Sequence, residues 1–281
     1  MVVQAQVGAD TLLHDALGPS LERLRSCRAD AVTPESVHHA RVATRRLRAN
    51  LKDLRPVFGE GWDGDMRQEL AWIGGLLGGV RDADVLAVAL EAELGDADDR
   101  VRPSGGVLLA EVRRDRTRPL EELIYGLGHP RFSAVVERVG ALIDAPPSPR
   151  VEIVPAIVVS PAWRGLKRAV RTLPPEPTDV ELHAVRIATK RARYAAEMFL
   201  TVAGPGARRF TRRAGRMQDV LGRHQDAVVA VAWLRARSGT GPKVAFAAGW
   251  LTSRFEAARD ADRQAWRGPW EALARPEARF W

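Results

Sequence analysis

Two segments of the chain carry almost the same run of cationic side chains, and each run begins with a histidine. The first starts at His38 and the second at His183, so matching positions lie 145 residues apart without a gap. Arginine donates two parallel hydrogen bonds to phosphate oxygens and keeps its charge at neutral pH, whereas lysine acts as a point charge. A repeated segment rich in both predicts a binding site for a polyanion.

Most of these cations fall on one side of each segment when it is wound as a helix at about 100° per residue. The opposite side carries alanine, leucine and phenylalanine, which is typical of a face that packs on a core. Arg46 and Arg191 are predicted to project to a flank. The candidate ligands are His38, Arg41, Arg45, Arg46, Arg48, Lys52, His183, Arg186, Lys190, Arg191 and Arg193.

Acidic residues are missing from the candidate-ligand runs at 38–52 and 183–193, so nothing in them relieves the repulsion between like charges. A solvated helix face, the alternative interpretation, usually mixes both signs, because like-charge neighbours cost a few tenths of a kcal/mol each. A third basic segment covers 208–216 and also lacks acids. A second group of candidate ligands extends the basic wall: Arg209, Arg213, Arg216 and Arg223.

The two leading histidines lie beside several arginines. Nearby positive charge lowers a histidine pKa, so His38 and His183 should favour the neutral form. A neutral imidazole still donates one hydrogen bond to a phosphate. The alternative is a histidine that simply packs at the start of its helix.

Helical periodicity runs through nearly the whole chain, which predicts an all-α protein. Turn-forming residues cluster at 59–64, 95–106, 126–130, 145–149, 174–177, 202–206 and 238–242. About eight helices are expected, four on each side of a Pro-rich join. We therefore divide the chain into an N-terminal half (1–145), a connector (146–161) and a C-terminal half (162–281). The conformation of 150–160 stays open.

The duplication extends beyond the basic segments. Leu77-Gly78 with Asp82-Ala83 recurs as Leu221-Gly222 with Asp226-Ala227, 144 residues later. The two aspartates either orient neighbouring arginines or brace contacts between helices, and we favour bracing.

Composition sets the broad class of the protein. The chain has 281 residues, of which 46% are hydrophobic and 28% charged, and a formal net charge of +8. A single cysteine, Cys27, excludes an internal disulfide. No signal peptide is expected, because the stretch from Met1 to Leu13 lacks a basic region followed by an apolar core, and no apolar run approaches the ~20 residues of a membrane span. A cytoplasmic location without membrane association is expected.

Together, the basic segments, the Leu-Gly and Asp-Ala segments and the ending Arg279-Phe280-Trp281 resemble the CHAD family, the conserved-histidine α-helical domain. The stretch from Lys190 to Phe199 is especially similar to the family's second repeat. The resemblance implies two four-helix bundles related by pseudo-twofold symmetry, with basic helices lining a central groove or pore. It also implies inorganic polyphosphate as the ligand, held by the first group of candidates apart from Lys52.

Other functions remain as alternatives. Nucleic acid is a secondary candidate, because single-strand binders interleave aromatics with cations and the two helices predicted from His38 and His183 contain just one aromatic beside their cations, Tyr194. A general polyanion binder, or a module that docks on an acidic protein or on polyphosphate granules, is the third. Phosphoryl transfer needs metal-holding carboxylates, which the basic segments lack, so no catalytic residue, metal or cofactor is expected. No catalytic triphosphate-handling domain precedes the segment, which predicts a standalone binder.

Overall fold

The computed structural model describes residues 7–237 and 241–281. Within these residues the chain is helical and has no strand, which confirms the all-α prediction. The α-helices are α1 (Ala9–Arg25), α2 (Pro34–Asp53), α3 (Arg55–Phe58), α4 (Met66–Gly95), α5 (Arg102–Asp115), α6 (Thr117–Gly128), α7 (Pro130–Asp144), α8 (Pro155–Arg171), α9 (Asp179–Glu197), α10 (Leu200–Arg235), α11 (Pro242–Ala265) and α12 (Arg267–Ala274). A short 3-10 helix (Pro276–Ala278) follows.

The described residues form more helices than the eight expected from the clusters of turn-forming residues. Leu54, Arg116 and Trp266 each join two successive helices, and their own backbone angles are close to helical. A proline follows each joint within three residues (Pro56, Pro119 and Pro269), and proline lacks the N–H of the helical hydrogen bond. The predicted breaks rest on clusters of turn residues, so they miss these prolines. The predicted break at 202–206 is a kink inside α10, where Gly204 has a φ of 48°. The break at 238–242 overlaps residues 238–240, which lie outside the described residues.

Both basic helices begin at a capping box. In α2, the Thr33 side chain accepts a hydrogen bond from the Ser36 backbone, and the Ser36 hydroxyl accepts one from the Thr33 backbone. In α9, Thr178 and Glu181 make the same exchange. A capping box satisfies backbone donors that the first helical turn leaves free. It therefore fixes where each helix starts and which way its cations point.

The packing order of the helices is the same in both sequence halves. Helix α2 packs between α1 and α4, and helix α9 packs between α8 and α10. The apolar faces of the basic helices are fully buried, with Leu47 and Leu51 on α2 and Ala195 on α9. Helices α2 and α9 also contact each other. The pseudo-twofold relation between two bundles stays a prediction.

Two apolar cores form, and each takes residues from both sides of the connector. The larger core contains Leu70 and Leu77 of α4 together with Phe210 of α10. The smaller core contains Leu90 of α4 and Leu234 of α10, with residues of α5 and α11. Helices α4 and α10 therefore run from one core into the other. Their middle turns, between the two cores, are free to line a cavity.

The segment whose conformation the sequence leaves open is extended at first and then helical. The Val7 backbone N–H donates a hydrogen bond to the carbonyl of Ile153 at 3.3 Å, and the Ile153 side chain is buried. Helix α8 then begins at Pro155, inside the range 146–161 that the sequence analysis assigns to a connector. Proline fits the first helical turn, where its missing N–H has no partner to lose.

No helix within residues 7–237 or 241–281 is both long and apolar enough to cross a bilayer.

Replacing Phe210 by alanine should destabilise the protein by about 3–5 kcal/mol, because the ring is fully buried and its loss leaves a cavity. The ring contacts Trp163, Phe280 and Trp281 edge to face, so no neighbour is free to fill the space. The change is measured by urea unfolding. Phe246→Ala is the control, since that ring is 56% exposed and its loss should cost less than about 0.5 kcal/mol. Equal losses in both variants would contradict this account of the core.

Candidate anion-binding cavity

A cavity of about 740 Å³ lies between α2, α4, α9 and α10. Each sequence half thus contributes its basic helix and its long helix. The wall carries eight cations against three carboxylates. The cations are Arg41, Arg45 and Arg46 of α2, Arg81 of α4, Arg186, Lys190 and Arg193 of α9, and Arg223 of α10. Both leading histidines, His38 and His183, also line it.

The structure brings most of the first group of candidate ligands into this cavity. Arg48, Lys52 and Arg191 are the members that do not line it. Arg48 and Lys52 are exposed on the last turns of α2, beyond the point at which Arg46 meets α9. Arg191 pairs with Asp53 on the flank between the two basic helices.

The second group of candidates is divided. Arg223 lines the cavity, and Arg216 lines a neighbouring cleft. Arg209 is exposed on α10 and lines neither of these two surfaces. Arg213 donates a hydrogen bond to the carbonyl of Ala272 at 3.0 Å, which ties α10 to α12. Binding of a ligand by any of these residues stays a prediction.

Arg81 is a cavity residue that sequence reasoning missed. It precedes Asp82 in the duplicated segment, where the second copy has Gln225 before Asp226. Because the second copy has a glutamine at this position, a comparison of the two repeats does not identify it as a shared cationic position. The available signal was its position next to the repeated aspartate.

Carboxylates enter the cavity from the long helices rather than from the basic ones. Asp82, Asp219 and Asp226 line it. The Arg41 guanidinium lies 3.5 Å from Asp82 and donates a hydrogen bond to the carbonyl of Gly74 at 2.9 Å. The pair joins α2 to α4, so Asp82 lies where it can both orient a cavity arginine and brace two helices, and bracing as its main role stays a prediction.

Gly78 leaves room for this arrangement. A β-carbon at position 78 would lie 3.1 Å from Nη1 of Arg41, closer than most packed side chains come. The glycine of the repeated Leu-Gly pair thus allows the guanidinium to lie against α4.

Several cavity arginines have a buried N–H donor without an acceptor, although Arg46 also pairs with Glu197 through Nη2. The Nε atoms of Arg45, Arg46 and Arg186 are buried and have no hydrogen-bond acceptor among the described residues. Burial lowers the pKa of Arg41 and of Arg186. A buried donor without an acceptor is costly, so these atoms favour an anionic ligand in the cavity.

Burial and the repulsion of neighbouring cations both disfavour the charged form of Lys190. Burial lowers its pKa to about 7, with further contributions from the charges of Arg186 and Arg45. Asp226 on α10 acts in the opposite direction. Burial also raises the pKa of Asp226. A bound anion would offset the repulsion and favour the charged form of the lysine.

The two histidines have different neighbours. The pKa of His38 is lowered, as expected; the largest cause is burial in the wall, followed by the charges of Arg81, His39 and Arg45. His183 lies with its Nδ1 2.5 Å from the side-chain oxygen of Gln225. This contact orients the ring on the opposite side of the cavity.

Two reciprocal ion pairs join the basic helices. Arg46 of α2 lies 2.8 Å from Glu197 of α9, and Arg191 of α9 lies 2.6 Å from Asp53 of α2. The flank positions predicted for both arginines are therefore the contact between the helices. Glu197 also accepts a hydrogen bond from Arg193 at 2.8 Å.

Together, the helical fold and this cavity define an all-α protein with a cation-rich binding site. The CHAD domain model matches residues 15–235. The chain belongs to the CHAD family.

Similar proteins extend the comparison. The chain is 26% identical to the solved structure of PptA from Streptomyces chartreusis, with a TM-score of 0.79, covering 95% of this chain and 100% of that one. A CHAD domain from the plant Ricinus communis is also 26% identical, with a TM-score of 0.74 and coverage of 97% and 95%. The uncharacterized protein MT2285 of Mycobacterium tuberculosis (strain CDC 1551 / Oshkosh) is 31% identical over 77% of this chain. The match covers 44% of that relative, so the chain spans less than half of its length.

Replacing Asp53 by asparagine should destabilise the protein by about 1–3 kcal/mol, because Arg191 loses a charged acceptor and α2 and α9 lose one of their links. The Asp53 side chain is 2% exposed, which makes the pair resistant to screening. Urea unfolding gives the change. The matched control is Glu60→Gln, since Glu60 is 82% exposed and its pair with Arg55 should contribute less than about 1 kcal/mol. If Asp53→Asn left the stability of the protein unchanged, the pair would not be what holds the two helices together.

Proposed function

We propose that this chain binds inorganic polyphosphate in the cavity between α2, α4, α9 and α10 and does not act on it as an enzyme. The observation that carries the proposal is the convergence of eight cations from two repeats on one cavity, with buried arginine donors left unpaired. Membership of the CHAD family supports the same ligand, because the family resemblance implies polyphosphate. A linear chain with about one charge per phosphate needs a repeated set of cations and no base-reading groups.

Nucleic acid is the second candidate ligand, and its binding requires aromatic side chains that polyphosphate does not need. Single-strand binders stack bases on aromatic rings. Among the described residues that line the cavity, Tyr194 is the one Phe, Tyr or Trp; it is 5% exposed, and the Arg46 guanidinium lies 5.2 Å from its ring centre. This ring is occupied and offers no stacking platform. Polyphosphate therefore fits the cavity better than a nucleic acid does.

A binding role fits the carboxylates of the cavity better than catalysis does. Phosphoryl transfer uses carboxylates to hold metal ions beside the reacting phosphate. Here Asp82 lies against Arg41, and Asp226 lies near Arg186, Lys190 and Arg81. These two carboxylates thus have cations as neighbours. We further propose a cytoplasmic location, where granules of polyphosphate would be available to such a protein.

The ligand class is tested by calorimetry with long-chain polyphosphate at near-physiological salt, with single-stranded DNA and tripolyphosphate as charge-matched competitors. We expect tight polyphosphate binding that DNA does not displace, with an affinity that falls steeply as salt rises. Equal or stronger DNA binding would favour a general polyanion binder. Absence of binding to all three would leave the cavity to a protein partner.

The double variant Arg45→Glu with Lys190→Glu should lower polyphosphate affinity about a hundredfold or more, because two charge-assisted contacts become repulsive. These residues belong to different repeats and line the same cavity. Arg164→Glu with Arg168→Glu is the control: both are exposed on α8, and the change in net charge is the same. The control should lose little affinity, since salt screens distant charges. Similar losses of polyphosphate affinity in the two double variants would show that the cavity is not the binding site. Circular dichroism checks that both variants remain helical.

Binding should take up about one proton per chain at pH 8, because free Lys190 has a pKa of about 7 and a bound polyanion raises it. In the unbound protein the Lys190 side chain is mostly neutral at pH 8, and it becomes charged in the complex. Affinity should therefore fall as pH rises from about 7 to 9. Calorimetry in buffers of different ionisation enthalpy measures the uptake. The control Lys190→Arg keeps a fixed cation and should abolish the uptake; an unchanged uptake would assign it to another group.

A further inference from the structure

A second concave surface lies next to the cavity, where the end of α9 faces the first half of α10. It encloses about 400 Å³ and has three cations on its wall, Arg193, Arg212 and Arg216. Thr211 adds a hydroxyl. We call this surface the α10 cleft.

The α10 cleft and the cavity share part of their walls. Arg193 and Asp219 line both. The Nε–H of Arg193 is taken by Glu197, and a guanidinium has four further N–H groups to offer a ligand. Arg193 can therefore contact phosphates on either side of the boundary.

The cleft cations continue along one side of α10 into the cavity. Arg212, Arg216, Asp219 and Arg223 follow each other at spacings of four, three and four residues, which places them on one helical stripe. At a rise of 1.5 Å per residue, this stripe is about 16 Å long. It begins in the cleft with Arg212 and ends in the cavity with Arg223.

Arg212 and Arg216 differ from many surface arginines of this protein. Arg131 and Arg254 each pair with a carboxylate on another helix, and Arg138 pairs with Asp65 at the start of α4. Within the part of the chain that the structure describes, Arg212 and Arg216 are exposed and have no carboxylate partner within ion-pair distance. Unpaired cations that extend a cation-rich cavity are suited to an anion that extends out of it.

We propose that the α10 cleft is a second phosphate subsite, through which a linear polyphosphate leaves the cavity past Arg193 and follows α10 over Arg216 and Arg212. This rests on the proposed function. A short chain is held by the cavity alone, whereas a long chain occupies both surfaces. Because the second contact is then intramolecular, long chains gain affinity without a second binding event from solution. The protein thus discriminates between chains by length.

The test compares the affinity for long-chain polyphosphate with that for tripolyphosphate. Arg212→Glu with Arg216→Glu should weaken long-chain binding about tenfold or more, because two phosphate contacts are replaced by repulsion. The loss for tripolyphosphate should be no larger than that of the control Arg164→Glu with Arg168→Glu, which changes the net charge equally. An equal effect of the two double variants on long chains would overturn the second subsite. So would an equal loss for long chains and tripolyphosphate.

A second variant tests the same path in the opposite direction. Asp219 lies on the stripe between Arg216 and Arg223, so Asp219→Asn should strengthen long-chain binding several-fold, and more than tripolyphosphate binding. Asp219 is exposed, so its replacement leaves the packing of α10 unchanged. An unchanged or smaller ratio of the two affinities would contradict the path. Failure of the proposed function is distinguishable, since the unaltered protein would then bind neither ligand.

Discussion

The repulsion between two helices of like charge is the constraint on which the cavity depends. Helices α2 and α9 both present a row of cations, and yet they lie in contact. Each takes a carboxylate from the other: Arg46 pairs with Glu197, and Arg191 pairs with Asp53. Because the acids lie at the ends of the basic segments, they hold the helices together at that end of the cavity. Arg191 is taken up by this contact, whereas Arg46 pairs with Glu197 and also lines the cavity.

The apolar cores supply the remaining support. Helices α4 and α10 are anchored in the larger core at one end and in the smaller core at the other. Their middle turns, which are packed on one side, can therefore bring Arg81, Arg223 and three aspartates to the cavity on the other. Unpaired buried cations destabilise the free protein, as the lowered pKa of Lys190 shows. Strain of this kind persists at functional sites because the surrounding structure holds the groups in place. A ligand that supplies the missing negative charge would relieve it.

The proposed ligand and the protein both carry their charges in a repeated arrangement. A polyphosphate repeats one charged unit, and the protein repeats one basic helix. The duplicated segments place equivalent residues on two sides of one cavity, while differences between the repeats, such as Arg81 against Gln225, make those sides chemically unequal. The α10 cleft adds to this asymmetry, because its cations come from the 208–216 segment of the second half. The two ends of a bound chain would accordingly meet different surroundings.

The sequence by itself determined the helical class, the family and most of the cavity cations. These features are local or repeated: helical periodicity and a register of 145 residues are visible in one dimension. The joints at Leu54, Arg116 and Trp266 were missed, although a proline follows each within three residues, because a single proline also occurs inside a continuous helix, as Pro19 does in α1. Only the tertiary structure decided which arginines face the ligand cavity. Arg46 and Arg191 hold equivalent positions in the repeats, yet Arg46 lines the cavity and Arg191 does not. Their partners, Glu197 and Asp53, lie on the opposite helix, and contacts between residues so distant in the chain arise from packing rather than from local sequence.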